Sequence, residues 1–334
     1  MKREPLRGAL IGCGFFGRIQ AEAWKRIPEV EIVAACDRQL FRAQELAPRA
    51  YGSAEELLER ESLDFVDIAT GPESHLELVR LAAQRGVDVI CQKPMAPDWS
   101  QAVAMVETAA AAGIRLIIHE NWRWQPWYRE AHDRIRQGLI GRPLTYWFRV
   151  RRGDGAGPEP YPQQPYFRNM SRFLVFETLV HPLDTARMLF GDIAAVSALT
   201  RRVNPVIAGE DHAALLVRHE DALFGIVDGH RFLNLAPDSP PMGEAFFEGD
   251  GGWLHVTAEG HLLHNGRVVW ENRITRGYRG DSVWAAQRHF VECLRNGAPA
   301  ESEGREYLKT FAAVEAAYRS AAEGRLVSVK EILP

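Results

Sequence analysis

Five short apolar runs punctuate the first third of the chain: "GALIGC" (8–13), "VEIVAACD" (30–37), "FVDIAT" (65–70), "VDVICQ" (87–92) and "RLIIHE" (115–120). Each is apolar on both faces and rich in β-branched residues, the pattern of parallel strands covered by helices. Amphipathic segments alternate with them: "GRIQAEAWKRI", "SAEELLER" and "SHLELVRLAAQRG". Ser53 and Ser74 are expected N-caps, and Gly86 and Gly113 expected C-terminal stops. This alternation predicts a doubly wound α/β sheet over residues 1–121.

Beyond Asn121 the pattern changes. Helices are expected in "WYREAHDRIRQGLIG" and around "HPLDTARMLFG". Strands joined directly by turns follow: "AAVSALTRRV", "HAALLVRH", "ALFGIVDGHRF", "EAFFEGD", "WLHVTAEG" and "RVVWEN". "GDGG" (249–252) and "HNG" (264–266) are hairpin turns. Two helices, near 282–296 and 304–323, close the chain. Residues 122–334 therefore read as an α+β domain with a largely antiparallel open sheet. The Gly/Pro-dense stretch "GDGAGPEPYPQQP" (153–165) is too long for an ordinary connector and reads as a lid or a disordered loop.

Composition narrows the class. A chain of 334 residues with 46% hydrophobic and 25% charged positions is a globular protein of two ordinary domains. A net charge of −4, with both signs interspersed, argues against a nucleic-acid partner. The four cysteines show no metal or disulfide spacing. With no apolar run long enough to span a bilayer and no cleavage signal after the first residues, the expectation is a cytoplasmic protein that does not meet a membrane.

"GCGFFG" sets Gly12, Gly14 and Gly17 in GxGxxG order, directly after a strand and before a helix. The first glycine permits the tight turn, the second lets backbone approach a pyrophosphate, and the third lets helix and strand pack closely. The free N–H groups of the helix N-terminus favour the anion. The next strand ends on Asp37, twenty residues on, where a carboxylate can accept from a ribose 2′-hydroxyl. That favours NAD. Arg38 beside it keeps NADP open, since arginine can hold the extra phosphate.

Ligands of an open parallel sheet bind beyond the strands' carboxyl ends. Those ends carry Thr70, Pro72 and His75 in "ATGPESH", Gln92 and Lys93 in "CQKP", and His119, Asn121 and Arg123 in "HENWRW". Pro94 biases Lys93 towards extended backbone, so its ammonium should project from the strand end. His119 reads as a strand-end residue satisfied by backbone. Trp122, Trp124, Tyr166 and Phe167 could line a polyol pocket or simply pack. Arg168 could meet an acidic substituent or serve only the loop.

"GCGFFG…CD", "ATGPESH", "QKP", "NWRWQP" and "ETLVHPLDTARMLFG", in this order, resemble the Gfo/Idh/MocA oxidoreductase family, and the closing helices from "FVECLRNG" onward are similar too. The resemblance covers nearly the whole chain. It implies an N-terminal Rossmann domain, a C-terminal open-sheet domain, and a homodimer or homotetramer formed through that sheet. Gly12, Gly14, Gly17 and Asp37 match the family's cofactor motif, and Phe15, Phe16, Arg38, Thr70, Pro72, His75, Gln92, Lys93 and Asn121 complete the expected cofactor surface. Lys93 matches the lysine of a Glu-Lys-Pro motif that touches cofactor and substrate. Glu177 and His181 match an Asp-x-x-x-His pair whose histidine is the acid/base. Trp122, Arg123, Tyr166, Phe167 and Arg168 are the expected substrate contacts. Gln92 in place of glutamate and Glu177 in place of aspartate depart from the pattern.

The implied activity is hydride transfer between NAD(P) and a secondary hydroxyl of a sugar, inositol or related polyol. Such a reaction needs a base near neutral pH, which suits histidine, and a cation by the developing alkoxide. His181, just before Pro182, could also be only a turn cap. Glu177 and His181 lack a third partner at zinc spacing, so no metal is expected. There are two rival readings: an NAD-dependent glycosidase with transient oxidation, which would use the same residues, and a non-catalytic NAD(P)-binding regulator on the same fold, which predicts loss of catalytic residues where Lys93 and His181 are both present.

Overall fold

A computed structural model of the chain describes residues 4–236 and 238–333. They fall into two compact units, one holding the chain through Asn121 together with Val283–Leu308, the other Trp122–Ser282 with the C-terminal remainder from Lys309. Besides 121/122, the chain passes between the units at 282/283 and at 308/309, so the helix near 282–296 belongs to the first unit.

In the first unit strands and helices alternate as β1 (Leu6–Ile11), α1 (Phe15–Trp24), β2 (Val30–Cys36), α2 (Leu40–Gln44), β3 (Arg49–Tyr51), α3 (Ala54–Arg60), β4 (Phe65–Ile68), α4 (His75–Gln84), β5 (Asp88–Gln92), α5 (Trp99–Ala112) and β6 (Leu116–His119). All pairings are parallel, in the order β3-β2-β1-β4-β5-β6. The chain reverses direction of progression between β1 and β4, the switch point where dinucleotide folds bind their ligand. Ser53 caps α3, its hydroxyl accepting from Glu56 N at 3.2 Å. Ser74 does not cap α4. A 3-10 turn, Pro72–Ser74, leads into that helix, and the Ser74 hydroxyl donates instead to Gly71 O.

The second unit begins with α6 (Pro126–Arg136) and β7 (Pro143–Arg151), then α7 (Val180–Phe190) and β8 (Ile193–Arg201). Strands β9 (His212–His219), β10 (Phe224–His230), β11 (Gly243–Gly249), β12 (Gly252–Val256), β13 (Leu262–His264) and β14 (Arg267–Trp270) follow. Helices α8 (Ser282–Asn296) and α9 (Gly304–Glu323) and strand β15 (Val327–Ser328) end the chain. The nine strands run in the order β14-β13-β12-β11-β7-β10-β9-β8-β15, antiparallel except for β7 with β10. Side chains alternate along β9: Ala213, Leu215 and Val217 are buried while Ala214, Leu216 and Arg218 face out. The open face carries a register row, Leu216–Ile226–Trp147, of exposed apolar side chains. Asn265 (φ 48°) and Gly266 (φ 79°) form the expected β13–β14 hairpin turn.

Candidate functional site

The end of β1 is shaped by two glycines. Gly12 has φ 98°, and a Cβ there would sit 2.8 Å from Ala69 backbone. A Cβ on Gly17 would meet Gly12 O at 2.1 Å, so α1 can approach the strand this closely only with glycine. Above Gly14 nothing lies within 4 Å, leaving an open cradle at the α1 N-terminus. Asp37 closes its side: Oδ2 accepts from Cys13 N and Oδ1 from Gln39 N, both at 2.8 Å. Phe15 is exposed at the helix start, as is Arg38 beside Asp37. The geometry fits a pyrophosphate over Gly14 with a carboxylate near the ribose.

The neighbouring strand ends are tightly tied. Thr70 and Ser74 share a 2.7 Å hydroxyl pair. The His75 ring is fully buried between two backbone carbonyls, Nδ1 3.0 Å from Met95 O and Nε2 3.1 Å from Thr70 O. This corrects the expectation that His75 is a cofactor contact. It fastens the Thr70 turn to the segment after Lys93–Pro94, a cis peptide. Burial holds its pKa below the ordinary value against the pull of those carbonyls. Gln92, beneath Lys93, accepts from the Lys93 N–H through Oε1 at 2.8 Å, while its Nε2 has no partner among the described residues. Lys93 is half-buried at the β5 end.

His119 also departs from expectation. It is not satisfied by backbone: neither ring nitrogen has a partner among the described residues. The ring sits edge-on to Phe16 and Phe290, and burial lowers its pKa to about 4, so it is a neutral, largely apolar group. Asn121, at the end of this segment, is buried.

In the second unit, Glu177 and His181 lie where a π-helical turn, Leu174–Leu179, passes into α7. Such turns mark functional positions often enough to be noted. The turn is anchored by Glu210, whose carboxylate accepts from Phe173 N and Val175 N and from the Tyr318 hydroxyl. The His181 imidazole lies flat on the Trp122 indole, centroids 4.6 Å apart and planes 3° apart. Glu177 Oε2 accepts from the Thr178 hydroxyl at 2.8 Å and stands 3.6 Å from Arg231 Nη1.

Arg231 is the residue that sequence reasoning missed. Its buried guanidinium donates to both Asp154 oxygens, at 2.8 and 2.5 Å, and covers the rings of Tyr161, Phe167 and Phe173. Burial opposes the Asp154 charge, but hydrogen bonds from Arg231 and Arg152 outweigh it and hold that carboxyl below its usual range. A lone arginine after a strand carries no motif. The loop expected as a lid or as disordered is pinned at several points. Gly155 N donates to Arg231 O, Asn204 Nδ2 to Gly155 O and Gly157 O, and Arg168 Nε to Pro160 O.

Several expected substrate contacts are otherwise engaged. Arg123 forms a two-point ion pair with Asp184 at 2.7 and 2.8 Å, both side chains buried, and Thr310 adds a hydroxyl to Asp184. Phe167 is packed between Tyr161 and Phe173. Trp124 carries Arg129 over its ring. Only Tyr166 among the named aromatics is well exposed, at 57%. All four cysteines are free and buried, with burial pushing the Cys13 and Cys36 thiols up to about 12. No described group of three or more metal-binding side chains occurs, and no helix is long and apolar enough to cross a membrane among the described residues.

A glycine-turn cradle at the switch point of a 3-2-1-4-5-6 sheet, with a lysine at a strand end, defines a dinucleotide-binding oxidoreductase fold. Residues 6–120 match the model for an oxidoreductase family with NAD-binding Rossmann fold, and residues 128–241 match the GFO/IDH/MocA C-terminal domain. The D-apiose dehydrogenase of Paraburkholderia graminis is 40% identical, covering 98% of this chain and 91% of that protein. The D-apiose dehydrogenase of Rhizobium rhizogenes is 38% identical over the full length of both. An oxidoreductase from Agrobacterium radiobacter, solved with NAD+, L-tartaric acid and magnesium, is 37% identical and superposes with a TM-score of 0.91, covering 98% of this chain and 99% of that one. The chain belongs to the GFO/IDH/MocA family and is an NAD-dependent oxidoreductase.

Proposed function

We propose that the chain oxidises a CH–OH carbon of a small sugar or related polyol with NAD, with D-apiose, the substrate named for two relatives of full-length similarity, as the first candidate. The observation that supports this most is His181, an imidazole held flat against Trp122 at the head of α7. When bound, NAD accepts the hydride. In this reading His181 takes the hydroxyl proton, a task suited to imidazole near neutral pH. The Lys93 ammonium stabilises negative charge as it grows on the same oxygen. Glu177, held by Thr178 and beside Arg231, steadies a neighbouring hydroxyl. Gly14 and the α1 N-terminus receive the pyrophosphate, and Asp37 the ribose.

The apolar row Leu216–Ile226–Trp147 on the open sheet face supports assembly of a homodimer or homotetramer through that face. A panel of D-apiose, other aldoses, inositols and sugar acids, each with NAD and NADP, tests the activity. D-apiose-dependent appearance of reduced nicotinamide, stronger with NAD, is expected. No response to any compound favours the regulator or the glycosidase instead.

A further inference from the structure

The helical segment that carries Glu177 and His181 starts without a cap of its own. Phe173 stands at its head and offers no side-chain acceptor. The N–H groups of Phe173 through Phe176 precede the first intrahelical bond, which Glu177 N makes to Phe173 O at 2.7 Å. Such leading N–H groups need acceptors from elsewhere.

Two residues outside the helix take them all. Glu210, just ahead of β9, accepts from Phe173 N and Val175 N through its carboxylate, at 3.2 and 3.0 Å, and from Leu174 N through its own carbonyl at 3.1 Å. The Tyr318 hydroxyl, on α9, accepts from Phe176 N at 3.2 Å and donates to Glu210 Oε1 at 2.6 Å. The Arg172 guanidinium lies 4.3 Å from the centre of the Tyr318 ring and also binds Glu315 on the same helix.

The chain comes this close because residue 209 is glycine: a Cβ there would stand 2.5 Å from Met170 O and 3.0 Å from Phe173 Cβ. On the other side of Glu210, the Asp211 carboxylate accepts from Val203 N and Asn204 N, so the acid is held from both directions.

These contacts set a register. A carboxylate at a helix start is favoured by the dipole, but the geometric effect matters more here. One residue of α-helix is about 100° of rotation, and a π-helical turn carries an extra residue within its ladder. A turn that slips to another register therefore swings every side chain after it. His181 would then leave the face of Trp122.

We propose that Glu210, supported by Tyr318, is a positioning residue that fixes the register of the π-helical turn and thereby aims His181. The proposal rests on the reading of His181 as the base, but the aim of the ring is measurable without turnover. Protons over an indole face are shifted upfield by its ring current. In the full-length protein carrying 13C-labelled histidine, the His181 ring signal, assigned by its loss in His181→Ala, is expected upfield of an ordinary imidazole. Glu210→Ala should return it to the ordinary position and lower kcat for D-apiose by about tenfold or more, as misplacement of a catalytic group does, with KM for NAD unchanged.

Glu210→Gln should keep the signal upfield and kcat within about threefold of the wild type, because its amide oxygen can replace Oε1, and Phe173 N reaches Oε1 as well as Oε2. Tyr318→Phe keeps the ring and should move both readouts in the direction of Glu210→Ala. It decides the matter if Glu210→Ala does not fold. An upfield signal with kcat within about twofold of the wild type, in folded Glu210→Ala or else in Tyr318→Phe, overturns the positioning role whatever the loss in thermal stability. Glu210→Gln as impaired as Glu210→Ala overturns it too. If the wild type oxidises no sugar, the oxidoreductase reading fails, and the signal alone decides: its return to the ordinary position in Glu210→Ala sustains the positioning role, and its persistence upfield overturns it.

Discussion

The imidazole of His181 and the indole of Trp122 stack with their planes 3° apart and centroids at 4.6 Å. The indole is itself buried, so it is a fixed wall and not a mobile neighbour. An aromatic pair of this kind contributes about 0.5–1.5 kcal/mol beyond its area. Its larger consequence is to restrict the imidazole to one plane. Trp122→Leu is expected to lower kcat by about tenfold or more, as misplacement of a catalytic group does, with KM for NAD unchanged. Steady-state kinetics with each substrate varied in turn checks the split.

Arg123 is expected to act on stability, not on substrate affinity. Its guanidinium is buried on Asp184, so Arg123→Met leaves a carboxylate without its counter-charge and costs about 3–5 kcal/mol. Denaturant titration should show that loss. The double variant Arg123→Met/Asp184→Leu should recover part of it, because the orphaned charge goes too.

Asp37 should govern the choice of cofactor. Its carboxylate binds the glycine loop through Cys13 N, and a 2′-phosphate nearby would be repelled. Asp37→Ala is expected to raise KM for NAD by about tenfold, the effect of one charge-assisted hydrogen bond, and to improve relative use of NADP. An unchanged NAD-to-NADP preference ratio would contradict this role.

Asp67 makes stability depend on pH. It is fully buried on β4, and burial raises its pKa from 3.8 to about 7 despite hydrogen bonds from Trp24 and Gln20. A carboxyl raised in the fold keeps its proton there between the two values, while the unfolded chain releases it. The contribution of Asp67 to stability is therefore greatest at low pH and declines until about pH 7, then stays level. From pH 5 upward the decline amounts to about 3 kcal/mol. Asp67→Asn should remove this slope. Its Oδ1 can accept from Trp24 while its amide donates to Gln20 Oε1, which has no partner among the described residues. Denaturation at a series of pH values compares the two proteins.

What was legible in the chain follows from how locally each feature is encoded. Gly17 is required by a contact five residues away, with Gly12 O, and Gly12 by its positive φ, so the cradle was readable from "GCGFFG", although the Ala69 backbone that Gly12 approaches was not. The β9 strand was readable because its alternation is regular. By contrast β7 was not identified, since "PLTYWFRVR" mixes aromatic residues on both faces, and its parallel partner β10 lies about 80 residues away in sequence. The return of Val283–Leu308 to the first unit depends on contacts across the whole chain, such as Arg115 with Glu303. At the site, Lys93 and His181 stood out by motif. The burial of His75 and Arg123 did not, because a histidine between carbonyls and a ligand-facing histidine look the same in sequence. Arg231 was invisible for the same reason: only folding brings Asp154, Glu177 and three rings around it.

The most direct measurement of the central claim is the turnover of D-apiose with NAD by the wild type and by His181→Ala, each shown folded by its thermal transition. A general base contributes about 10²–10⁴-fold, so the variant should lose at least about a hundredfold in kcat while still binding NAD. Turnover by His181→Ala within about twofold of the wild type would contradict the assignment of His181 as the base.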